Sequence, residues 1–187
     1  MGVIIPYNPA KHHRRSIRLK GYDYAQEGAY FITICAYRHT CLFGEVLDES
    51  MNLNVYDEIV RDEWIRTATI RQEVELDSFV VMPNHFHGIV LIVSQDVRER
   101  TTSSELAGVH NPRPYRSAKS IGALVAGFKS AVTAQINRSR TTPGLPVWQP
   151  NYHEHIIRSE NSLNILRSYI ETNPSRWASD KYNPLKM

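Results

Sequence analysis

The stretch that most constrains this chain is Val80–Val93, which is largely apolar but contains two histidines. Aliphatic and β-branched residues dominate after Gly88, as is typical of a buried strand. Because side chains alternate between the faces of a strand, His85 and His87 are predicted to project from one face and Phe86 from the other. Two adjacent imidazoles at the start of a buried strand form half of a metal site. The alternative is a pair of hydrogen-bonded structural histidines.

The composition describes one globular domain. The chain has 187 residues, of which 42% are hydrophobic, so it can bury a sizeable core. Its apolar runs are too short to span a bilayer and its first residues lack a secretory signal, so we expect a cytoplasmic protein with no membrane partner. The two cysteines, Cys35 and Cys41, suit a reducing compartment without a disulfide framework.

Charge and polarity divide the chain. The net charge is +3, with basic residues concentrated near the N-terminus and in the C-terminal part. Residues 1–20 are predicted to be a basic N-terminal arm, residues 21–178 a single domain and residues 179–187 a C-terminal tail. The polar stretch 94–116 is predicted to be a mobile loop, and loops of this length are often functional.

The hydrophobic patterns alternate between strand and helix periods. Strands are predicted at 29–37, 41–47, 74–82 and 85–93, with a turn near 48–52 and a tight turn at Pro83-Asn84. A helix is predicted to begin at Val55. Two further helices are predicted at 117–138 and 161–173, and an extended segment is predicted at 147–158. This order predicts an α+β domain with an antiparallel sheet that packs its helices on one face and leaves the other for a ligand.

The last predicted helix carries two polar residues on one side. Tyr169 and Asn173 are four residues apart, so the phenol and the carboxamide lie one helical turn from each other. Taken alone, Tyr169 is most simply a core aromatic, and Asn173 a helix terminator before Pro174.

Six segments in the same order carry a family resemblance between about Arg15 and Trp177. They are Gly21–Tyr24, Ala29–Cys35, Met82–Gly88, Val147–Gln149, His155–Arg158 and Tyr169–Pro174. Together they resemble the REP-associated tyrosine transposases, which belong to the single-tyrosine HUH transposase superfamily. The resemblance implies a ferredoxin-like fold of the HUH endonuclease type. It also implies cleavage and rejoining of single-stranded DNA, here on hairpin-forming repeats.

The resemblance also implies roles for individual residues. His85 and His87 match the metal-binding pair, and Asn173 falls where the superfamily has a polar third ligand, often Gln. Tyr169 matches the nucleophile that forms a 5′-phosphotyrosine linkage and leaves a 3′-hydroxyl. The implied cofactor is Mg²⁺ or Mn²⁺. This chemistry is consistent, because a phenol with an ordinary pKa near ~10 is a poor nucleophile at neutral pH and a metal can orient and activate the phosphate.

A second tyrosine and a second histidine pair compete with these assignments. Tyr152 is a competing nucleophile, and His153-Glu154-His155 repeats the His-x-His pattern. The middle residue of that segment is charged, whereas Phe86 is apolar, so we expect the second pair to be less buried.

The predicted partner is single-stranded or hairpin DNA. Basic side chains would neutralise phosphates, and aromatic ones would stack on unpaired bases. The candidate DNA-binding residues are Arg14, Arg15, Arg18, Lys20, Lys119, Lys129, Arg138, Trp148, Tyr152, His155 and Arg158, with Arg167 as a further cation. A solvated surface is the alternative explanation of the charged residues.

Two other functions remain open from the sequence. One is a non-catalytic module that binds hairpin DNA or RNA on the same fold, and the other is an HUH replication initiator or relaxase. The protein is expected to be a monomer or a homodimer, with Tyr169 acting in its own subunit or in the partner's.

Overall fold

The computed structural model describes residues 21–93 and 119–184, which form a mixed α+β fold. The strands are β1 (Gly28–Cys35), β2 (Gly44–Leu47), β3 (Ser50–Leu53), β4 (Val74–Met82), β5 (His85–Ile92) and β6 (His153–Ile157). The helices are α1 (Val55–Ile70), α2 (Ile121–Ser139) and α3 (Glu160–Glu171), with short 3-10 helices at Tyr37–His39 and Pro174–Ser179. The predicted arm, with Arg14, Arg15, Arg18 and Lys20, and the predicted loop 94–116 lie outside the described residues.

Four strands form an antiparallel sheet in the order β4-β5-β1-β6. The central strand β1 pairs along its whole length with β5, from Gly28 opposite Ile92 to Cys35 opposite His85. The hairpin of β4 and β5 turns at Pro83-Asn84, as predicted. The antiparallel α+β fold expected from the sequence is therefore confirmed.

The first face of the sheet, which we call the core face, packs against α1 and α2. Alternate side chains of β1 and β5, including Ile32 and Phe86, are completely buried there. They meet Trp64 of α1 and Phe128 of α2 in one hydrophobic cluster. Period-two alternation in the strands and helical spacing in α1 and α2 together produce this core.

The opposite face, which we call the site face, carries α3. Its apolar cluster joins Ile89 of β5 and Ile157 of β6 to Ile170 of α3, with Leu163 and Leu166 packed at its edge. The prediction that the helices share one face is wrong for this helix. Helix α3 covers part of the face that was expected to remain open, because its own apolar stripe has to be buried.

An irregularity in β4 helps to hold α3. The pairing of β4 with β5 shifts between Leu76 and Phe79, both of which pack toward the core face. Asp77, within this irregularity, accepts hydrogen bonds from the guanidinium of Arg167 on α3, at 2.9 Å from Nε and 2.5 Å from Nη2. An ion pair thus supplements the hydrophobic contacts of the helix.

The second hairpin differs from the sequence prediction. A strand, β3, occupies Ser50–Leu53, within and just beyond the region where a turn was predicted, and it pairs with β2. Gly44 begins β2 with φ 123°, and a Cβ there would lie 2.3 Å from the carbonyl oxygen of Asn52. Only glycine fits this close approach. Within residues 21–93 and 119–184, no helix is long and apolar enough to cross a membrane.

Candidate metal and tyrosine site

The two histidines of β5 lie on the site face and are almost completely excluded from solvent, with 0% of His85 and 3% of His87 exposed. Phe86, between them, points to the core face, where its ring centroid is 4.7 Å from that of Trp64. A Cβ on Gly88 would approach the Trp64 ring to 2.8 Å, so glycine permits this packing. Packing behind the strand therefore holds the histidine backbone in place.

The hydrogen bonds of Asn84 define the protonation of His85. Its Nδ2 donates to the carbonyl oxygens of His39 at 3.1 Å and Tyr182 at 2.6 Å. Its Oδ1 consequently faces Nδ1 of His85, at 2.9 Å. Because a carboxamide oxygen only accepts, Nδ1 of His85 carries the proton and Nε2 carries the lone pair. Nε2 is buried without a hydrogen-bond partner.

His87 is held in a similar way. Its Nδ1 lies 2.8 Å from the hydroxyl oxygen of Thr33 on β1. Its ring stacks on Phe31, with centroids 5.1 Å apart and planes 24° apart. Its Nε2 lies 3.3 Å from the hydroxyl oxygen of Tyr169 on α3. The phenol and this imidazole therefore meet within a single chain.

Both imidazoles are neutral in this environment. Burial lowers the pKa of His85 to about 3, although the nearby carboxamide of Asn173 acts in the opposite direction. Burial, followed by the proximity of His85, lowers the pKa of His87 well below its ordinary value. A neutral imidazole is the form that binds a metal ion, since a protonated ring nitrogen has no lone pair to donate.

Tyr169 and Asn173 complete the site. Burial raises the pKa of Tyr169, whereas the nearby carboxamide of Asn173 lowers it. Asn173 is buried, and neither its oxygen nor its nitrogen makes a hydrogen bond of normal geometry. Its carboxamide nevertheless lies close enough to influence the pKa of both His85 and Tyr169. Two polar groups, Nε2 of His85 and this carboxamide, are thus buried without satisfied hydrogen bonds.

This donor set fits a divalent cation. Nε2 of His85, Nε2 of His87 and Oδ1 of Asn173 would be the protein ligands. The first and the last are buried without a hydrogen-bond partner, and Nε2 of His87 meets the Tyr169 hydroxyl. No group of three or more His, Cys, Asp or Glu residues suited to a metal occurs in the parts of the chain that the structure describes. Two imidazoles and a carboxamide leave positions for water and phosphate oxygens, as Mg²⁺ and Mn²⁺ require.

Two of the predicted DNA-binding residues have structural roles instead. Trp148 is 6% exposed and packs in the core, with its ring 4.9 Å from that of Phe43, so the prediction that it stacks on DNA bases is wrong. Lys129 donates from Nζ to the carbonyl oxygens of Gln149 and Asn151, so its ammonium anchors the segment before β6. A cation used in this way is a poor candidate for phosphate binding.

The competing tyrosine and histidine pair lie elsewhere. Tyr152 is half-buried and packs against the core cluster, on the other side of the sheet from His85 and His87. His153 and His155 are exposed on the edge strand β6, in register with Thr33 and Phe31. Paired residues share a face, so both histidines lie on the site face. Contact of His155 with DNA remains a prediction.

Three other predicted cations within the described residues are exposed. Lys119 precedes α2, Arg138 lies in its last turn, and Arg158 follows β6. Their DNA contacts remain predictions. Arg167 is engaged by Asp77 and therefore has a structural partner.

The structure adds residues that the sequence did not single out. Thr33 and Phe31 contact His87, and Asn84 contacts His85. The alternation of β1 could have revealed Thr33, because it is a polar residue between two core isoleucines. The Tyr182 ring lies 4.8 Å from that of His85, so Tyr182, which lies in the segment predicted to be a C-terminal tail, contacts the site. No local sequence pattern indicates this contact.

Comparison with known proteins agrees with the architecture. No protein-family model matches the chain. An uncharacterized protein of Haemophilus influenzae is 41% identical over 175 residues, which cover 94% of this chain and 96% of that protein. The solved structure of a REP-associated tyrosine transposase bound to a REP hairpin has a similar fold, with a TM-score of 0.55 and 21% identity. The match covers 87% of this chain and 74% of the transposase. The chain thus belongs to the same protein family as the Haemophilus influenzae protein, and its fold is shared with the REP-associated tyrosine transposase.

Proposed function

We propose that the protein is a metal-dependent single-stranded DNA endonuclease and strand transferase that acts through a 5′-phosphotyrosine intermediate on Tyr169. The observation that carries this proposal is the approach of the Tyr169 hydroxyl to within 3.3 Å of Nε2 of His87. A tyrosine packed against an isolated structural histidine would not require a second buried imidazole with an unpaired nitrogen beside it. The likeness in fold to a transposase bound to a DNA hairpin supports a hairpin-forming DNA substrate.

The metal ligands in this proposal are Nε2 of His85, Nε2 of His87 and Oδ1 of Asn173. A bound Mg²⁺ or Mn²⁺ would supply electrophilic stabilisation of the charge on the phosphate. Burial keeps both imidazoles neutral, so they need not lose protons before they act as ligands.

Tyr169 is the nucleophile in this proposal. Its phenolic oxygen forms a bond to phosphorus while the bond from phosphorus to the 3′-oxygen breaks. The phenolic proton is released, and the departing 3′-oxygen takes up a proton to become a 3′-hydroxyl. Attack of another 3′-hydroxyl on the phosphotyrosine would reverse these changes and join the strands. Phe31 meets the Tyr169 ring edge-on, with centroids 6.1 Å apart, and helps to set its direction.

All four proposed site residues come from one chain. His85 and His87 lie on β5, Tyr169 lies on α3, and Asn173 follows that helix. The proposal therefore places a complete active site in each subunit. Exchange of α3 between two subunits is not needed to bring the phenol to the histidines.

The test is the capture of a covalent adduct. The full chain is incubated with a single-stranded hairpin oligonucleotide and Mn²⁺, and adducts are resolved on a denaturing gel and located by mass spectrometry. We expect an adduct at Tyr169 that is absent from the Tyr169→Phe variant. Tyr56→Phe, which alters a tyrosine of α1 on the core side of the sheet, is the matched control and should form the adduct normally.

The possible outcomes separate the competing functions. An adduct that persists in Tyr169→Phe but disappears in Tyr152→Phe would identify Tyr152, on the core face of the sheet, as the nucleophile. Hairpin binding without metal dependence or nicking would favour the non-catalytic module. His85→Ala should abolish cleavage and spare most of the DNA affinity, because His85 is buried and would act through the cation.

A further inference from the structure

A feature shared by the two histidines is that their inner nitrogens both contact polar side chains. Nδ1 of His85 meets the carboxamide oxygen of Asn84, and Nδ1 of His87 meets the hydroxyl of Thr33. Both partners are buried, with 0% of Asn84 and 5% of Thr33 exposed. Their hydrogen bonds with the histidines are therefore sheltered from competition with bulk water.

The carboxamide of Asn84 cannot easily rotate to exchange the positions of its oxygen and nitrogen. Two carbonyl oxygens, from His39 and Tyr182, occupy its amide nitrogen. Rotating the carboxamide by 180° would place its oxygen against both carbonyls and break two hydrogen bonds. The residue thus fixes the proton of His85 on Nδ1 because two separate parts of the chain, at His39 and Tyr182, hold its carboxamide.

Thr33 acts on the neighbouring ring from a different strand. It lies directly opposite His87 in the pairing of β1 with β5, on the site face. Its hydroxyl can accept from Nδ1 of His87 or donate to it, so this contact alone leaves two tautomers possible. The phenol of Tyr169 at Nε2 also has both capacities. Only the form protonated at Nδ1 leaves a lone pair on Nε2 of His87, as the contact with Asn84 does for His85.

We propose that Asn84 and Thr33 are positioning residues that hold both histidines protonated at Nδ1, with both Nε2 lone pairs directed at one cation. This inference rests on the proposed function, since it assigns the residues that orient the ligands of that same site. Without these partners an imidazole would have to be reoriented or change tautomer when the cation binds. Loss of such outer partners typically weakens metal binding by about 10–100-fold.

Thr33 offers the cleanest substitution. Thr33→Val keeps the branched shape and the strand preference but removes the hydroxyl, whereas Thr33→Ser retains the hydroxyl. We expect Thr33→Val to weaken Mn²⁺ binding by about 10–100-fold, and Thr33→Ser to restore it to within a few-fold of the original. Binding is measured by titration of the full chain with Mn²⁺ alone, in the absence of DNA.

The matched control is Thr67→Val. Thr67 is also buried, but it lies on α1 and donates its hydroxyl hydrogen bond to the carbonyl oxygen of Glu63. This variant should bind Mn²⁺ like the unaltered protein. Asn84→Ala is expected to weaken Mn²⁺ binding at least as much as Thr33→Val. Thermal unfolding of each variant shows whether it folds, and the serine and valine pair decides the result if the Asn84 variant does not.

A second readout reports on the protons themselves. Nitrogen-15 NMR of the metal-free protein at neutral pH distinguishes protonated from unprotonated ring nitrogens. We expect a proton on Nδ1 of His85 and His87 in the unaltered protein, and a loss of that preference at His87 in Thr33→Val. A merely structural contribution of Thr33 would reduce stability without changing the tautomer.

These measurements separate two kinds of failure. If Mn²⁺ affinity and the His87 tautomer are both unchanged in Thr33→Val, the positioning role is overturned, whatever the protein does to DNA. If both change as expected but no DNA adduct forms, the positioning role stands and the nuclease proposal fails. Protonation at Nε2 in the unaltered metal-free protein would also overturn the positioning role.

Discussion

The two faces of β5 exclude water equally but use that exclusion differently. On the core face, Phe86 is completely buried and contacts Trp64 and Phe128, with ring centroids 4.7 and 5.4 Å away. On the site face, His85 is just as buried, but its Nε2 has no hydrogen-bond partner. Burial on the first face provides stability. On the second face, burial keeps the two imidazoles neutral and oriented, so that their ring nitrogens can donate lone pairs. It also leaves Nε2 of His85 without a hydrogen bond.

Removing the aromatic ring on the core face should have the largest effect on stability. Phe86→Ala would lose ring contacts with both α1 and α2 and leave a cavity beneath the histidines. We expect the free energy of unfolding to fall by about 3–5 kcal/mol, as measured by urea denaturation. An effect below about 1 kcal/mol would show that this face is not the stabilising side of the sheet.

Binding of a metal ion at the site face should increase the free energy of unfolding of the protein. At a Mn²⁺ concentration about 100 times the dissociation constant, binding should increase the free energy of unfolding by about 2.7 kcal/mol. We expect this increase in the unaltered protein and its loss in His85→Ala, since the cation would lose a ligand. A chelator should reverse the gain. An equal gain in His85→Ala would place the metal elsewhere.

Gly88→Ala tests the contact between the strand and α1. The added methyl would lie 2.8 Å from the Trp64 ring and 2.9 Å from the Phe86 ring, so one of these aromatic side chains must shift. We expect a loss of about 1–3 kcal/mol in unfolding free energy from overpacking. Gly127→Ala is the matched control, because a Cβ at that exposed helical position meets nothing within 4 Å. An equal loss in both variants would contradict the packing explanation.

Local pattern in the sequence predicted much of the fold. The alternation around Phe86 placed the two histidines together on one face, and the spacing of Tyr169 and Asn173 placed these residues on one side of a helix. Both inferences depend on backbone periodicity, which strands and helices impose without knowledge of the rest of the chain. The strand at Val74–Met82 also has the predicted bounds.

Contacts between distant segments could not be predicted in the same way. Trp148 resembles an exposed stacking residue until Phe43 and Phe128 are brought against it. Lys129 is a typical surface cation in a helix until the segment before β6 supplies carbonyl oxygens for its ammonium. The hydrogen bond that Nδ2 of Asn84 donates to the carbonyl oxygen of Tyr182, 98 residues away, depends on the path of the chain after α3. Tertiary contacts decide these roles.

Removal of the ion pair that attaches α3 to the sheet should have the smallest effect on the free energy of unfolding. The guanidinium of Arg167 holds the pKa of Asp77 at about 2, below its ordinary 3.8. A lowered carboxyl pKa means that the ion pair stabilises the fold above about pH 3.8, and that this contribution is lost as the pH falls toward 2. Because Arg167 is 43% exposed, solvent weakens the pair, so Asp77→Asn should cost less stability than Gly88→Ala.

Urea denaturation across pH 2–7 measures this contribution directly. The difference between the unaltered protein and Asp77→Asn should be largest near neutral pH and mostly lost at pH 2, where the carboxyl is protonated in the unfolded protein and about half protonated in the folded one. Glu171→Gln removes an exposed acid from α3, the helix that carries Arg167, and serves as the control for a change in net charge. A difference that stays constant down to pH 2 would mean that Asp77 contributes through packing, and that hydrophobic contacts alone hold α3 and its tyrosine against the histidines.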